Sequence, residues 1–223
     1  MEQTMFDTLL ELPLFQGLSR EDLTRILEST RLAFDTLSQG ATVVRQDEIC
    51  TGLTFVIRGD VISTTAAADR SWSIEETLTA PILQGLDVLY GTRRTHSRTL
   101  TAAGTVNTLT MDKQTFGALT RYFEVFRLNV LNLLTTHISR QAQPMWLPPP
   151  NDLKGRIIQF MRMHVERPAG MKRFNISHKL LGLYLGEDSR YISYAIHDMQ
   201  EQGLLEIGRR TIIIPAMEKL ITR

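Results

Sequence analysis

Residues 175–215 read NISHKLLGLYLGEDSRYISYAIHDMQEQGLLEIGRRTIIIP, and their punctuation decides the fold of the C-terminal third. Ser177 stands where an N-cap would start a short helix over 178–185, with Leu180, Leu181, Tyr184 and Leu185 turned inward. Gly186-Glu187-Asp188 makes a turn, and Asp188 is placed to cap a second helix over 189–202. In that helix Ile192, Ala195, Ile196 and Met199 recur at three- and four-residue spacing, the apolar stripe of a half-buried helix. Gly203 fits the C′ position, where positive φ is needed. Leu204–Ile207, Gly208-Arg209-Arg210 and Thr211–Ile214 then predict a two-stranded hairpin with an arginine pair at its tip. Two short helices around a tight glycine-bearing turn, followed by such a hairpin, describe a winged helix-turn-helix.

The face of the second helix opposite its apolar stripe carries Ser189, Arg190, Ser193, Tyr194 and His197. These are hydrogen-bonding groups suited to base edges and phosphates in a major groove of double-stranded DNA. Arg190 is the expected base reader, because its fork matches guanine O6 and N7 together. Ser189 and Tyr194 are expected on phosphate, which sets register without reading sequence. Ser177, His178 and Lys179 at the start of the first helix, and Arg209 and Arg210 on the wing, complete the expected DNA-binding set. Residues 151–223 hold twelve basic and eight acidic side chains, net +4, whereas the rest of the chain is at −3. A helical hairpin whose polar face simply meets water is the plainer reading of any isolated helix pair. Here the turn, the wing and the local charge coincide, and DNA binding is the better account.

Upstream, Asp152 reads as the N-cap of a helix over 153–165, preceded by Trp146-Leu147-Pro148-Pro149-Pro150. Three prolines fix φ and lack donors, so they predict a stiff, extended connector. The segment 116–142 contains no proline, and about 24 helical residues within it would span roughly 36 Å at 1.5 Å each. Phe123, Phe126, Val130, Leu133 and His137 step along it by three and four residues, a seam suited to a partner helix. Leu128, Leu131, Leu134 and Ile138 form a second stripe. One stripe can cover the preceding domain while the other meets a partner, which favours a symmetric homodimer over one amphipathic helix buried in a monomer.

Between residues 31 and 112 the pattern is β-like, with runs at Ala41–Arg45, Leu53–Arg58, Val61–Thr65, Trp72–Leu78, Arg98–Ala102 and Val106–Met111. Short strands without helical crossovers predict an antiparallel barrel or jelly roll. Residues 1–30 read as helical, with Ser19 as an N-cap before Glu21-Asp22. The expected organisation is therefore α+β. A β-roll with N-terminal helices spans 1–115, a long dimerisation helix 116–146, a proline hinge 147–151 and the winged helix-turn-helix 152–223.

The 223 residues are 43% hydrophobic and 22% charged, which argues against disorder. A single cysteine, Cys50, can form neither an internal disulfide nor a thiolate cluster. The first twenty residues lack the pattern of a secretory signal, and no apolar run reaches membrane-spanning length, so a cytoplasmic protein without a membrane partner is expected. The sequence shows no nucleophile elbow and no phosphate loop, and its five histidines lack metal-ligand spacing. No catalytic residue, metal site or cofactor is expected.

Taken along its whole length, the chain resembles the CRP/FNR superfamily of transcription regulators, of which catabolite activator protein is a member. The likeness begins at Leu14-Phe15-Gln16-Gly17-Leu18-Ser19 and continues through Ile57-Arg58-Gly59-Asp60-Val61, similar to a turn of the cyclic-nucleotide-type β-roll. It passes through Lys154-Gly155-Arg156-Ile157 and ends in the winged helix-turn-helix over 176–214. The resemblance implies a homodimer paired along the long helix, bound to a two-fold DNA site and touching RNA polymerase.

Departures from the family pattern are equally informative. Cyclic-AMP-binding members carry a phosphate cassette resembling Gly-Glu-Leu followed by Arg-Ser-Ala. Here Gly85 and Ser97 match, but Leu86 replaces the glutamate, His96 the arginine and Arg98 the alanine. Leucine cannot accept a ribose hydrogen bond, and a neutral imidazole cannot replace a guanidinium fork. The expected pocket is thus degenerate and not responsive to cyclic AMP. An unknown small-molecule effector, or none, remains open. On the recognition helix the family's usual Arg-Glu and following Arg are replaced by Ser189, Arg190 and Tyr194, so the fold transfers while the usual half-site does not. The rival reading is a protein-interaction scaffold of the same fold that reads no DNA sequence.

Overall fold

A computed structural model describes residues 5–142, 146 and 148–221, with side chains of Met5 and Ile221 outside that description. Residues 143–145 of the expected dimerisation helix and Leu147 of the expected hinge lie outside the described residues. The chain divides into two compact units, Met1–Val61 with Leu78–Met145, and Ile62–Thr77 with Trp146–Arg223.

The first unit opens with α1 (Met5–Leu10) and α2 (Arg20–Ser29). Ser19 caps α2 as expected, its hydroxyl accepting from the Asp22 amide. Antiparallel strands follow: β1 (Ala33–Leu37), β2 (Thr42–Val44), β3 (Gly52–Arg58), then the paired β4 (Asp60–Ala66) and β5 (Ser73–Thr79), which run on into the second unit. β6 (Ile82–Gln84), β7 (Thr99–Ala102) and β8 (Val106–Asp112) complete the set. One sheet has the order β1-β8-β3-β6, and β2 pairs with β7, giving the expected jelly-roll-like domain. β1 and β6 had no clear sequence signal, because β1 is largely exposed and β6 is three residues long.

The single helix expected from residue 116 is two helices, α3 (Lys113–Tyr122) and α4 (Glu124–Ala142), separated at Phe123. Phe123 leaves the helical region at φ −117°, ψ 106°, while its N–H still bonds Leu119 O and its carbonyl accepts from Arg127 N. Ten residues at 100° each would leave Phe116 and Phe126 about 80° apart on a straight helix. The break lets both rings enter one core, 6.0 Å apart, with Phe126 also edge-on to Phe15 at 5.4 Å. That core gathers Leu9, Leu14, Phe15, Leu23, Ile26, Leu53, Phe55, Leu109 and Phe126, all fully buried.

The second unit comprises α5 (Leu153–His164), β9 (Lys172–Asn175), α6 (His178–Leu185), α7 (Ser189–Glu201), β10 (Glu206–Gly208), β11 (Thr211–Ile214) and α8 (Met217–Ile221). β10 pairs with β11, β11 with β9, and β9 with β5, all antiparallel. Trp72–Leu78 was expected in the β-roll; instead Ile62–Thr77 folds with the C-terminal residues. Asp152 stands at the N-cap of α5 but its side chain makes no capping bond, a correction to its expected role.

Candidate nucleic-acid interface

The helix-turn-helix is built from caps. Ser177 Oγ accepts from the Leu180 amide at 3.2 Å and starts α6. Gly186 ends it in the left-handed region (φ +67°, ψ 33°), a conformation glycine takes without a Cβ penalty. Gly182 meets the turn so closely that a Cβ would lie 2.5 Å from Glu187 O. Arg156 reaches over from α5 to pair with the Glu187 carboxylate and to donate to Leu185 O at 3.3 Å, fixing the turn from outside. Lys154 of α5 pairs with Asp198 of α7. Tyr184, read as an inward residue, is 50% exposed and only its ring lies against the core, beside Trp72 and Phe160.

Asp188 starts α7 by accepting from the Arg190 amide at 2.8 Å. Ile192, Ile196 and Met199 are buried on one side, and Gly203 follows the helix at φ +68°. On the other side Arg190, Tyr194 and His197 are exposed and Ser189 and Ser193 half-buried. His178 is half-buried at the start of α6, with Lys179 exposed beside it. Arg209 and Arg210 are exposed at the tip of the β10–β11 hairpin, where Arg210 takes φ +59°. Tyr191, 58% exposed on the flank of the same helix, was missed, because tyrosine at that spacing reads equally well as core.

The free arginine fork expected at Arg190 is engaged. Its Nε and Nη2 lie 3.1 and 3.4 Å from the two Asp188 carboxylate oxygens. That contact holds the Asp188 carboxyl below the usual carboxylate range and raises the Arg190 guanidinium further. Both groups are open to solvent, so water and salt weaken the pair and a guanine or phosphate can replace the carboxylate. Burial pushes the His178 imidazole below its ordinary value, and repulsion from His197 adds to the shift.

Residues 155–223 match the family described as the Crp-like helix-turn-helix domain. Among solved structures, the chain is similar to a regulator described as of the CRP/FNR family from Eubacterium rectale, at 18% identity and TM-score 0.54, covering 95% of this chain and 97% of that one. It is also similar to the c-di-GMP responsive global regulator CLP of Xanthomonas campestris, at 15% identity and TM-score 0.50, covering 88% and 99%. The chain has the CRP/FNR regulator fold. No curated protein sequence matches it.

At the expected cassette positions, Gly85 takes φ +102°, and a Cβ there would lie 2.9 Å from Gly52 O and 3.0 Å from Cys50 Sγ. Leu86 packs against the core of the first unit, so its side chain offers the site only hydrocarbon. His96 is buried, and its Nδ1 has no partner among the described residues. Burial lowers its pKa, against the upward pull of Asp87 and Glu48, and keeps the ring neutral at pH 7. Ser97 is exposed and Arg98 half-buried. Cys50 is buried, donating to Gly52 O at 3.1 Å. Among the described residues no cluster of His, Cys, Asp or Glu is arranged to hold a metal ion, and no helix is long and apolar enough to cross a membrane.

The expected pairing seam on α4 needs correcting. Phe126 is 0% and Val130 7% exposed, and with half-buried Phe123 and Leu133 they line the core of their own unit; His137 continues that side. Asn129 pins this orientation by donating to Leu14 O and Gln16 O. Of the other stripe, Leu128, Leu131 and Ile138 are 55%, 52% and 63% exposed, whereas Leu134 is half-buried against the same core.

Proposed function

We propose that the protein is a dimeric, DNA-binding transcription regulator of the CRP/FNR type, inserting α7 of each protomer into the major groove of a two-fold site. The observation that supports this most strongly is the ridge Ser189–Arg190–Ser193–Tyr194–His197, capped at Asp188 and flanked by an arginine-tipped wing, within a domain that matches the Crp-like helix-turn-helix. Ser177, His178, Lys179, Arg209 and Arg210 contribute the surrounding phosphate contacts. Dimerisation runs through Leu128, Leu131 and Ile138, since apolar side chains at this spacing on one face are otherwise left in water. RNA polymerase is the downstream partner this reading implies.

Cyclic AMP is not the effector on this reading. Leu86 supplies no acceptor for a ribose hydroxyl, and neutral His96 no charge for the cyclic phosphate. Calorimetry should show no binding at micromolar cyclic AMP. Selection from a random duplex pool should enrich a two-fold motif with half-sites about 34 Å apart. A pool without enrichment would leave the fold as a protein-interaction scaffold.

A further inference from the structure

We propose that the hairpin Ile62–Thr77 is a working part of the DNA-binding unit and that Trp72 and Glu76 are positioning residues for the helix-turn-helix. The DNA part of this inference rests on the regulator reading above. Four observations within the second unit carry it.

The hairpin supplies a sheet strand to the winged helix. β5 continues the β10-β11-β9 sheet with Ser73, Ile74, Glu75 and Glu76 opposite Asn175, Phe174, Arg173 and Lys172. Ile74, Phe174 and Ile212 form one cross-strand row inside the core that also receives Ile192 and Ile196 of α7.

Its charge is matched to its neighbour. Lys172 is 1% and Glu76 4% exposed, with Nζ to Oε1 3.1 Å apart. Lys172 also donates to Ala169 O at 2.7 Å, and the Glu76 carboxylate accepts from the Glu166 and Arg167 amides at 2.9 and 3.3 Å. Neither group is left with a bare charge in the interior, and the loop between α5 and β9 is held by the pair. On the other face Arg173 lies 3.7 Å from Glu75.

Asn175 links hairpin to wing. Its amide donates to Ser73 Oγ and Glu75 Oε1 at 3.1 and 2.9 Å, and its carbonyl oxygen accepts from Thr211 Oγ1 at 3.4 Å.

Finally, Trp72 holds α6. The indole N–H donates to Tyr184 Oη at 3.0 Å, and the ring lies 5.4 Å from Phe160 and 5.0 Å from His164. Tyr184 is on α6, whose turn into α7 sets the angle of the recognition ridge. Residues from the middle of the chain thereby orient side chains more than a hundred positions later.

The experiment uses the full chain as wild type, E76Q, E76Q/K172M and W72F. Hydrogen exchange of β9 and α6 amides is measured beside affinity for the duplex enriched by wild type. E76Q leaves Lys172 buried without its counter-charge; it should speed exchange in β9 and weaken DNA binding about tenfold or more. E76Q/K172M removes the stranded charge and should return both readouts to within about threefold of wild type. W72F keeps an aromatic ring but loses the indole donor, and should raise α6 exchange and weaken DNA binding by a smaller factor. Unchanged protection of β9 and α6 in E76Q and W72F would overturn the proposal. So would altered protection with wild-type affinity. If wild type enriches no duplex, the regulator reading fails separately, and exchange alone judges whether the hairpin belongs to this unit.

Discussion

α7 and α4 are both helices with apolar residues at three- and four-residue spacing, yet they use them differently. In α7 the apolar residues keep to one side, Ile192, Ile196 and Met199, and the other side carries Arg190, Tyr194 and His197. In α4 they surround most of the helix: Phe126 and Val130 are buried while Leu128, Leu131 and Ile138 stand in solvent. A helix with one stripe declares which side is core. A helix with two stripes declares only that it has two neighbours, and the assignment depends on where the rest of the chain anchors it, here through Asn129 and Phe15.

The sharpest way to break that contrast is to exchange the stripes' expected penalties. Phe126→Ala empties a fully enclosed site shared with Phe15 and Phe116, and should cost about 3–5 kcal/mol in urea unfolding. Leu131→Asp should leave the protomer folded by circular dichroism. It should shift the monomer–dimer equilibrium at least about a hundredfold in sedimentation, because each copy would bury a charge at the pairing face. If Leu131→Asp unfolds the chain while Phe126→Ala only separates protomers, the two stripes have been assigned the wrong way round.

The exposed side of α7 is tested by smaller effects. Arg190→Ala should weaken binding about ten- to a hundredfold on the preferred duplex and relax preference at one base pair. An equal loss on all sequences would make Arg190 a phosphate contact. Asp188→Ser keeps an N-cap oxygen but frees the fork that Asp188 now holds. It should raise DNA affinity by roughly two- to fivefold, since a carboxylate also leaves the anionic groove.

These cases show what the sequence could and could not express. The caps Ser19, Ser177 and Asp188 and the C′ glycine Gly203 were legible, because each acts within three or four residues of its own position. The winged helix-turn-helix is a run of such local signals. The Asp188–Arg190 contact is local too, but the spacing of the two residues alone did not distinguish a cap from a clamp. What stayed hidden were pairings across long separations. β5 looks like any roll strand, and only Glu75-Glu76 facing Lys172-Arg173 hints at its true neighbour. The helix break at Phe123 carries no proline or glycine to announce it; with the break, Phe116 and Phe126, ten residues apart, share one core.

Acid acts with opposite sign on folding stability and on DNA binding. Burial holds His178 below its ordinary pKa, with His197 pushing the same way, and burial also lowers His96. An unfolded histidine titrates near 6.5, so below that value the unfolded chain takes up protons that the folded chain refuses. Folding stability should therefore fall as pH drops from about 6.5 toward 5. Asp69, Asp112 and Asp188, held low by hydrogen bonds, surrender their contribution only below about pH 4, which leaves the window to the imidazoles. DNA works in the opposite direction for one of the two rings. Phosphate beside His178 favours its protonated form, so duplex binding should take up a fraction of a proton and tighten by up to about tenfold per unit of falling pH. His178→Gln should abolish that slope and leave the His96 part of the stability loss; His96→Gln should spare the slope and remove the His96 part. A binding slope that survives His178→Gln would overturn the assignment of that proton to His178.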